Sequence, residues 1–144
     1  MSELPGSFGD SLQIIALINQ YAWAYDTHDT ELLGSIFSPD ASTSGAITGS
    51  NQSWGPWKGR SEIVSKLGAI RESQSDQRRH QISTPVFVSL TETTAVLQTY
   101  LALYAVISPN PPTLVATGTY AAELSKRNGH WAIDRLDAQL DSEF

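Results

Sequence analysis

Asp26 and His80 are the pair of residues in this sequence best suited to do proton chemistry together. A carboxylate beside an imidazole fixes the ring tautomer, stabilises the imidazolium and makes the histidine a better base. A dyad without a serine or cysteine nucleophile suits proton abstraction, elimination or isomerisation rather than acyl transfer. The chain has no cysteine, which removes thiolate chemistry and a disulfide framework. With three histidines and no cysteine, no zinc site is expected. Neither a P-loop nor a dinucleotide-binding glycine pattern occurs, so no cofactor is expected.

For the two residues to meet, the surrounding elements must bring them to one pocket. Asp26 closes an amphipathic stretch that Asp10 or Ser11 can cap, since a short side-chain oxygen satisfies a free backbone N–H. At about 100° per residue, Leu12, Ile15, Asn19, Ala22, Trp23 and Asp26 fall on one arc. A carboxylate near the middle of an apolar face is costly, and so points to a specific partner. His80 opens a stretch in which Ile82, Val86, Val88 and Leu90 share its parity, which turns its ring toward the interior of a sheet. His28 and His130 read as solvent-exposed turn residues.

Four further residues are candidates for contacting a substrate. Tyr21 and Tyr25 precede Asp26 on the same helix and can orient a carbonyl or hold a water, with Tyr25 slightly ahead on helix geometry; plain packing is the alternative for each. Trp54 lies in Trp54-Gly55-Pro56-Trp57, read as part of a flexible loop whose tryptophans either cap a pocket or plug a core edge. Arg135 shares strand parity with Trp131 and Ile133, and is read as an inward cation, with a surface ion pair as the alternative.

The remaining elements follow from pattern and punctuation. Residues 1–9 read as a flexible arm, and residues 10–144 as one domain. A second helix is expected from Asp29 to Phe37, ended by Ser38-Pro39-Asp40. A short strand and a loop follow to residue 58, then a third helix from Gly59 to Ser73 that buries Ile63, Val64, Leu67 and Ile70. Strands are expected at 79–90, 95–107, 114–125 and 130–140, with Asn128-Gly129 supplying the positive φ values of a tight hairpin. The 95–107 strand is apolar on both parities, which predicts burial by the core on one side and a partner subunit on the other. A homo-oligomer, dimer or trimer, is therefore expected. Helices first and a mostly antiparallel sheet afterwards make this an α+β domain.

Net charge is −6. An acidic chain argues against nucleic acid and against anionic membranes as partners, and leaves a small-molecule substrate. No signal-peptide pattern and no bilayer-spanning apolar run is seen, so a cytoplasmic protein is expected.

Tyr-Ala-x-x-x-Asp ending the first helix, Arg79-His80 opening a strand, Gly118-Thr119-Tyr120, and Arg127-x-Gly129-x-Trp131 together resemble the SnoaL-like branch of the NTF2-like superfamily over roughly residues 11–140. The resemblance implies a cone-shaped α+β barrel, with a curved antiparallel sheet wrapped around the N-terminal helices and a deep pocket inside. The pattern is similar to that of scytalone dehydratase, hexachlorocyclohexane dehydrochlorinase and bile acid 7α-dehydratase, which pair an Asp at the end of the first helix with a His on the sheet. By that resemblance Asp26 and His80 match the catalytic pair. The activity implied is a cofactor-independent lyase, isomerase or cyclase acting on a small apolar or polyketide-like molecule, with His80 as base and Asp26 as its orienter. The superfamily also contains non-catalytic ligand-binding and assembly domains, the alternative reading.

Overall fold

Helix α1 runs from Phe8 to Asp26 in the computed structural model, which describes residues 6–144. Its cap is Ser7, not Asp10 or Ser11. The Ser7 hydroxyl accepts the Asp10 N–H at 2.9 Å while the Asp10 carboxylate accepts the Ser7 N–H at 3.4 Å. Two orphan donors are thereby satisfied reciprocally, which fixes the helix start upstream of the expected site. Phe8 and Gly9 thus belong to the helix rather than to the expected arm, whose first five residues lie outside those described.

The buried face of α1 is formed by Ile14, Ile18, Tyr21 and Tyr25. The expected arc is displaced from it: Trp23 is 68% exposed, and Leu12 and Asn19 are exposed as well. The segment is apolar on several sides, with Leu12, Ile14, Ile15, Leu17 and Ile18 close together, so its period does not select a single face. Docking on the sheet does. Asp26 is still buried, at the flank of that face rather than its centre.

Asp29 caps α2 (Thr30–Ser35) by accepting the Leu32 N–H at 2.9 Å. The helix stops short of Phe37, where strand β1 (Phe37–Ile47) begins. Ser38-Pro39-Asp40 therefore lies inside a strand. A register irregularity against β6 (His130–Leu140) between Phe37 and Ser42 accommodates the proline, which has no N–H to give a ladder. Residues 53–58 form edge strand β2 (Ser53–Lys58), with Trp54 opposite Gly45 and Trp57 opposite Thr43. The tryptophans are thus held by a hairpin, not carried on a flexible loop. Helix α3 (Arg60–Ser73) buries Ile63 and Leu67 and half-buries Val64 and Ile70, as its period predicts.

Strands β3 (Gln77–Leu90), β4 (Thr94–Val106) and β5 (Thr113–Arg127) lead to β6 through a hairpin in which Asn128 and Gly129 both have positive φ, 53° and 79°. The sheet order is β2-β1-β6-β5-β4-β3, with only the β1–β6 pair parallel. The α+β expectation holds, with one difference. The six-stranded curved sheet remains open, with β2 and β3 as separate edges, so the cone is not a closed barrel. Helix α1 packs across the sheet against β3 and β6, and α3 covers β1 and β2. No described helix is long and apolar enough to cross a membrane.

One parity expectation changes, that for β3. β4 alternates, with Ala95, Leu97, Leu101 and Leu103 inward and Tyr100 on the exposed outer face. In β3, the register against β4 shifts between Ser83 and Val86, where Thr84 has a φ of 54°. The extra residue reverses the side chains that follow it, until a second shift between Phe87 and Ser89 returns Leu90 to the core. Val86 and Val88 are consequently 55% and 57% exposed, while Phe87 packs on the core. His80 and Ile82 precede the bulge and keep the predicted inward direction.

Candidate active site

The last turn of α1 and the start of β3 meet at Asp26. Tyr21 and Tyr25, four residues apart, share one helix face, and Asp26 is turned from them toward β3. The Asp26 carbonyl, an orphan acceptor at the helix C-terminus, receives Gln77 Nε2 at 2.8 Å and Arg71 Nη2 at 3.4 Å. β3 is an edge strand, so the N–H groups on its outer side have no ladder partner. Asp26 fills that need at His80: Oδ2 accepts the His80 backbone N–H at 2.8 Å, and Oδ1 lies 2.6 Å from His80 Nδ1. One carboxylate thus fixes both the backbone and the ring of the histidine.

Both side chains are buried, His80 at 6% and Asp26 at 8% exposure. With Asp26 ionised, Nδ1 carries the ring proton and Nε2 presents its lone pair. Nε2 has no hydrogen-bond partner among the described residues. The ring is packed by Tyr25 at 4.8 Å and by Tyr21 at 6.1 Å between centroids, both edge-on. Such packing leaves the imidazole little freedom to swing away from Asp26.

His80 and these tyrosines line a narrow cavity. Leu67 and Ile70 of α3, Leu101 and Leu103 of β4, and Tyr120 of β5 complete much of its wall, and Trp54 and Phe144 also line it. The lining contains no lysine, arginine, aspartate or glutamate side chain. Its two small hydroxyls are already engaged, Thr43 with the Leu136 carbonyl at 2.7 Å and Ser44 with Asp137 at 2.6 Å. Burial raises the Tyr21 and Tyr120 phenols well above the ordinary range. Burial likewise pushes Tyr25 up to about 12, against the opposing pull of Arg78 and of its bond to Gln74.

Of the residues singled out from sequence, Asp26, His80, Tyr21, Tyr25 and Trp54 converge here. Trp54 stacks on the bare backbone of Gly45, where a Cβ would fall 1.9 Å from the indole, and meets Phe144 edge-on at 5.6 Å. Arg135 does not converge. It is exposed and bonds Asp137 at 2.7 Å, because β6 slips by one residue between Ile133 and Arg135 and so turns Arg135 outward. His28 and His130 are exposed, as expected. Tyr120 and Phe144 were missed. The alternation Tyr120, Ala122, Leu124 on β5 could have revealed the first, whereas no local pattern marks the second.

A profile for the SnoaL-like domain matches residues 7–137. The chain belongs to the SnoaL-like family. No curated protein matches it in sequence. Among solved structures, it is similar to a protein of unknown function with a cystatin-like fold from Nostoc punctiforme, at 19% identity over 98% of both chains and a TM-score of 0.84. A protein from Novosphingobium aromaticivorans named as a candidate scytalone dehydratase aligns at 17% identity over 94% of this SnoaL-like chain and 89% of its own, with a TM-score of 0.74. The beta subunit of a candidate aromatic-ring-hydroxylating dioxygenase from the same organism aligns at 12% identity over 96% and 94%, with a TM-score of 0.78. At such identities the likeness is one of fold, and the fold is NTF2-like.

Proposed function

We propose that this SnoaL-like protein is a cofactor-independent lyase or isomerase, of dehydratase, dehydrohalogenase or cyclase type, with His80 as general base and Asp26 as its orienter. One observation carries the reading: both Asp26 oxygens are committed to His80, at 2.6 and 2.8 Å, while Nε2 stays free beside an apolar cavity. A proton leaves a carbon next to a carbonyl for Nε2, and the electron pair moves onto the carbonyl oxygen. In an elimination, the enolate then expels a β-leaving group, which the imidazolium can protonate. The absence of lysine, arginine, aspartate and glutamate side chains from the lining favours a small, neutral, largely apolar substrate. A cavity of this kind beside a free ring nitrogen favours catalysis over a purely ligand-binding or assembly role.

The test needs no knowledge of the natural substrate. The protein is incubated with 1- and 2-tetralone in D₂O, and α-deuterium uptake is followed by mass spectrometry. Uptake by the wild type that is lost in His80→Ala supports the proposal. No uptake by the wild type, or equal uptake by His80→Ala, overturns it.

We also propose self-association of the chain as a dimer or trimer, on the outer face of β4 with its exposed Tyr100 and on the exposed Val86 and Val88 of β3 beside it. A monomer mass by light scattering overturns this.

A further inference from the structure

Helix α1 turns an uncharged face to solvent. Its two charged residues, Asp10 and Asp26, are both buried. By contrast, α2 exposes Glu31, and α3 exposes Arg60, Glu62, Lys66 and Glu72. On α1 the exposed stripe is Phe8, Leu12, Ala16, Asn19 and Trp23, with Phe8 at 80%, Leu12 at 55% and Trp23 at 68% exposure. At about 100° per residue, these five fall within an arc of about 80°. A surface helix ordinarily carries its charges on the solvent side, whereas a lack of charge together with aromatic residues characterises the centre of an interface.

The stripe is also symmetric about its middle. Phe8 and Trp23 lie equally far from the point between Ile15 and Ala16, and so do Leu12 and Asn19. We infer that a second copy of this chain packs here, α1 against α1, antiparallel about a two-fold axis through that point. Phe8 then meets Trp23 of the partner subunit, and Leu12 meets Asn19 of the partner subunit, at both ends of the contact. The small Ala16 at the crossing lets the axes approach to the usual separation of about 8–10 Å.

Charge and area both select a second copy as the occupant. The chain carries a net charge of −6, so two copies repel except where neither presents charge. Covered phenyl and indole rings bury about 150–250 Å² each, so at the exposures above the four rings of the pair contribute about 450–750 Å². The rest of the helix face brings the total near the ~1,200 Å² at which specific interfaces begin. The contact also bears on the site. On its outer side the dyad borders a groove lined by Asn19, Trp23, Asp26, Arg79, His80 and Gln81. Phe8 of the partner subunit, seated on Trp23, closes the rim of that groove and keeps water from the far side of the pair. The surface is separate from the outer face of β4, since α1 packs on the opposite side of the sheet.

The chain has no cysteine, so introduced ones report without background. In the antiparallel pair, positions 12 and 19 of opposite copies face each other within the ~4.4–6.8 Å between Cα atoms that a disulfide spans. Positions 12 and 12, or 19 and 19, are about 10 Å apart along the axis. Leu12→Cys/Asn19→Cys is therefore expected to form a cross-linked dimer under mild oxidation, read on a non-reducing gel, while each single variant stays monomeric there. Ala16→Glu supplies an independent test. Glutamate is a good helix former at this exposed position, but it sets two carboxylates beside the axis. The association constant from sedimentation equilibrium should fall by at least ~100-fold. No cross-link in the double variant, equal cross-linking of Leu12→Cys alone, or an unchanged association constant in Ala16→Glu overturns the pairing. A wild type that is monomeric at every concentration overturns it as well. Adding Tyr100→Lys to the double variant should leave the cross-link intact; its loss would move the contact to β4 and overturn the assignment to α1.

Discussion

Helix α1 carries a buried aspartate near each end, Asp10 at 9% and Asp26 at 8% side-chain exposure. At the N-terminal end Asp10 accepts Trp131 Nε1 at 2.9 Å, Lys126 Nζ at 3.1 Å and the Ser7 N–H. These hydrogen bonds, that of Trp131 foremost, hold its carboxyl well below the usual carboxylate range. They tie the helix start to the β5–β6 hairpin, and no lining residue of the main cavity takes part. At the other end the Asp26 carboxylate meets two donors, both from His80, whose second ring nitrogen stays free. Burial and pairing alone therefore do not mark a reactive carboxylate. What separates the two ends is whether the partner retains an unsatisfied atom facing open space.

Substitutions can sharpen that contrast. The largest effect is expected from His80→Ala, a loss of about 10²–10⁴ in α-deuterium exchange, the usual worth of a general base. Asp26→Asn should lower the exchange rate somewhat less, and should also destabilise the fold. The amide oxygen can accept the backbone N–H while its NH₂ donates to Nδ1, which moves the ring proton to Nε2 and removes the free lone pair. Two bonds to a carboxylate become neutral ones, at a cost of about 1–3 kcal/mol measurable by denaturant titration. Asp10→Asn should invert the pattern, with a lower melting temperature and an unchanged exchange rate. Equal loss of exchange at both ends would collapse the comparison.

The pH dependence gives a finer test. The folded-state pKa of Asp10 is depressed, so its stabilisation is complete above the unfolded value near 3.9 and shrinks as pH falls below it. The stability gap between wild type and Asp10→Asn should therefore narrow in acid below about pH 4. Tyr25 has the opposite sign. Its folded pKa is raised to about 12, so stability should fall as pH climbs past the unfolded value of about 10. Tyr25→Phe should lose less stability over that interval. The smallest effect is expected from Arg135→Ala, which removes an exposed ion pair worth about 0–1 kcal/mol and leaves exchange unchanged.

Much of the site was legible in the sequence, and the reasons differ by residue. Asp26 could be placed at a helix end because the helical period and the turn after it are local. His80 kept its predicted direction because it lies ahead of the β3 bulge. Arg135 did not, because β6 slips just before it, and the slip is defined by pairing with β5 rather than by the residues of β6. Val86 and Val88 were misplaced for the same reason. Trp54 was found as a candidate, but its support is Gly45 on the neighbouring strand, which no reading of 54–57 contains.

The sequence by itself determined element types, their order, and which acid and which imidazole were available to one another. Those properties depend on periods of a few residues and on side-chain chemistry. Tertiary structure decided which face of α1 is buried, since a helix apolar on several sides has no preference until a sheet selects one. It also decided the bulges that reverse strand parity, and the open edge of β3 that gives Asp26 a second donor at His80. Finally, it gave the tyrosines different neighbours: the Tyr25 hydroxyl donates to Gln74, whereas the Tyr21 ring packs edge-on to Tyr120. Hydroxyl partners are set by contacts between distant segments, and no spacing along the chain encodes them.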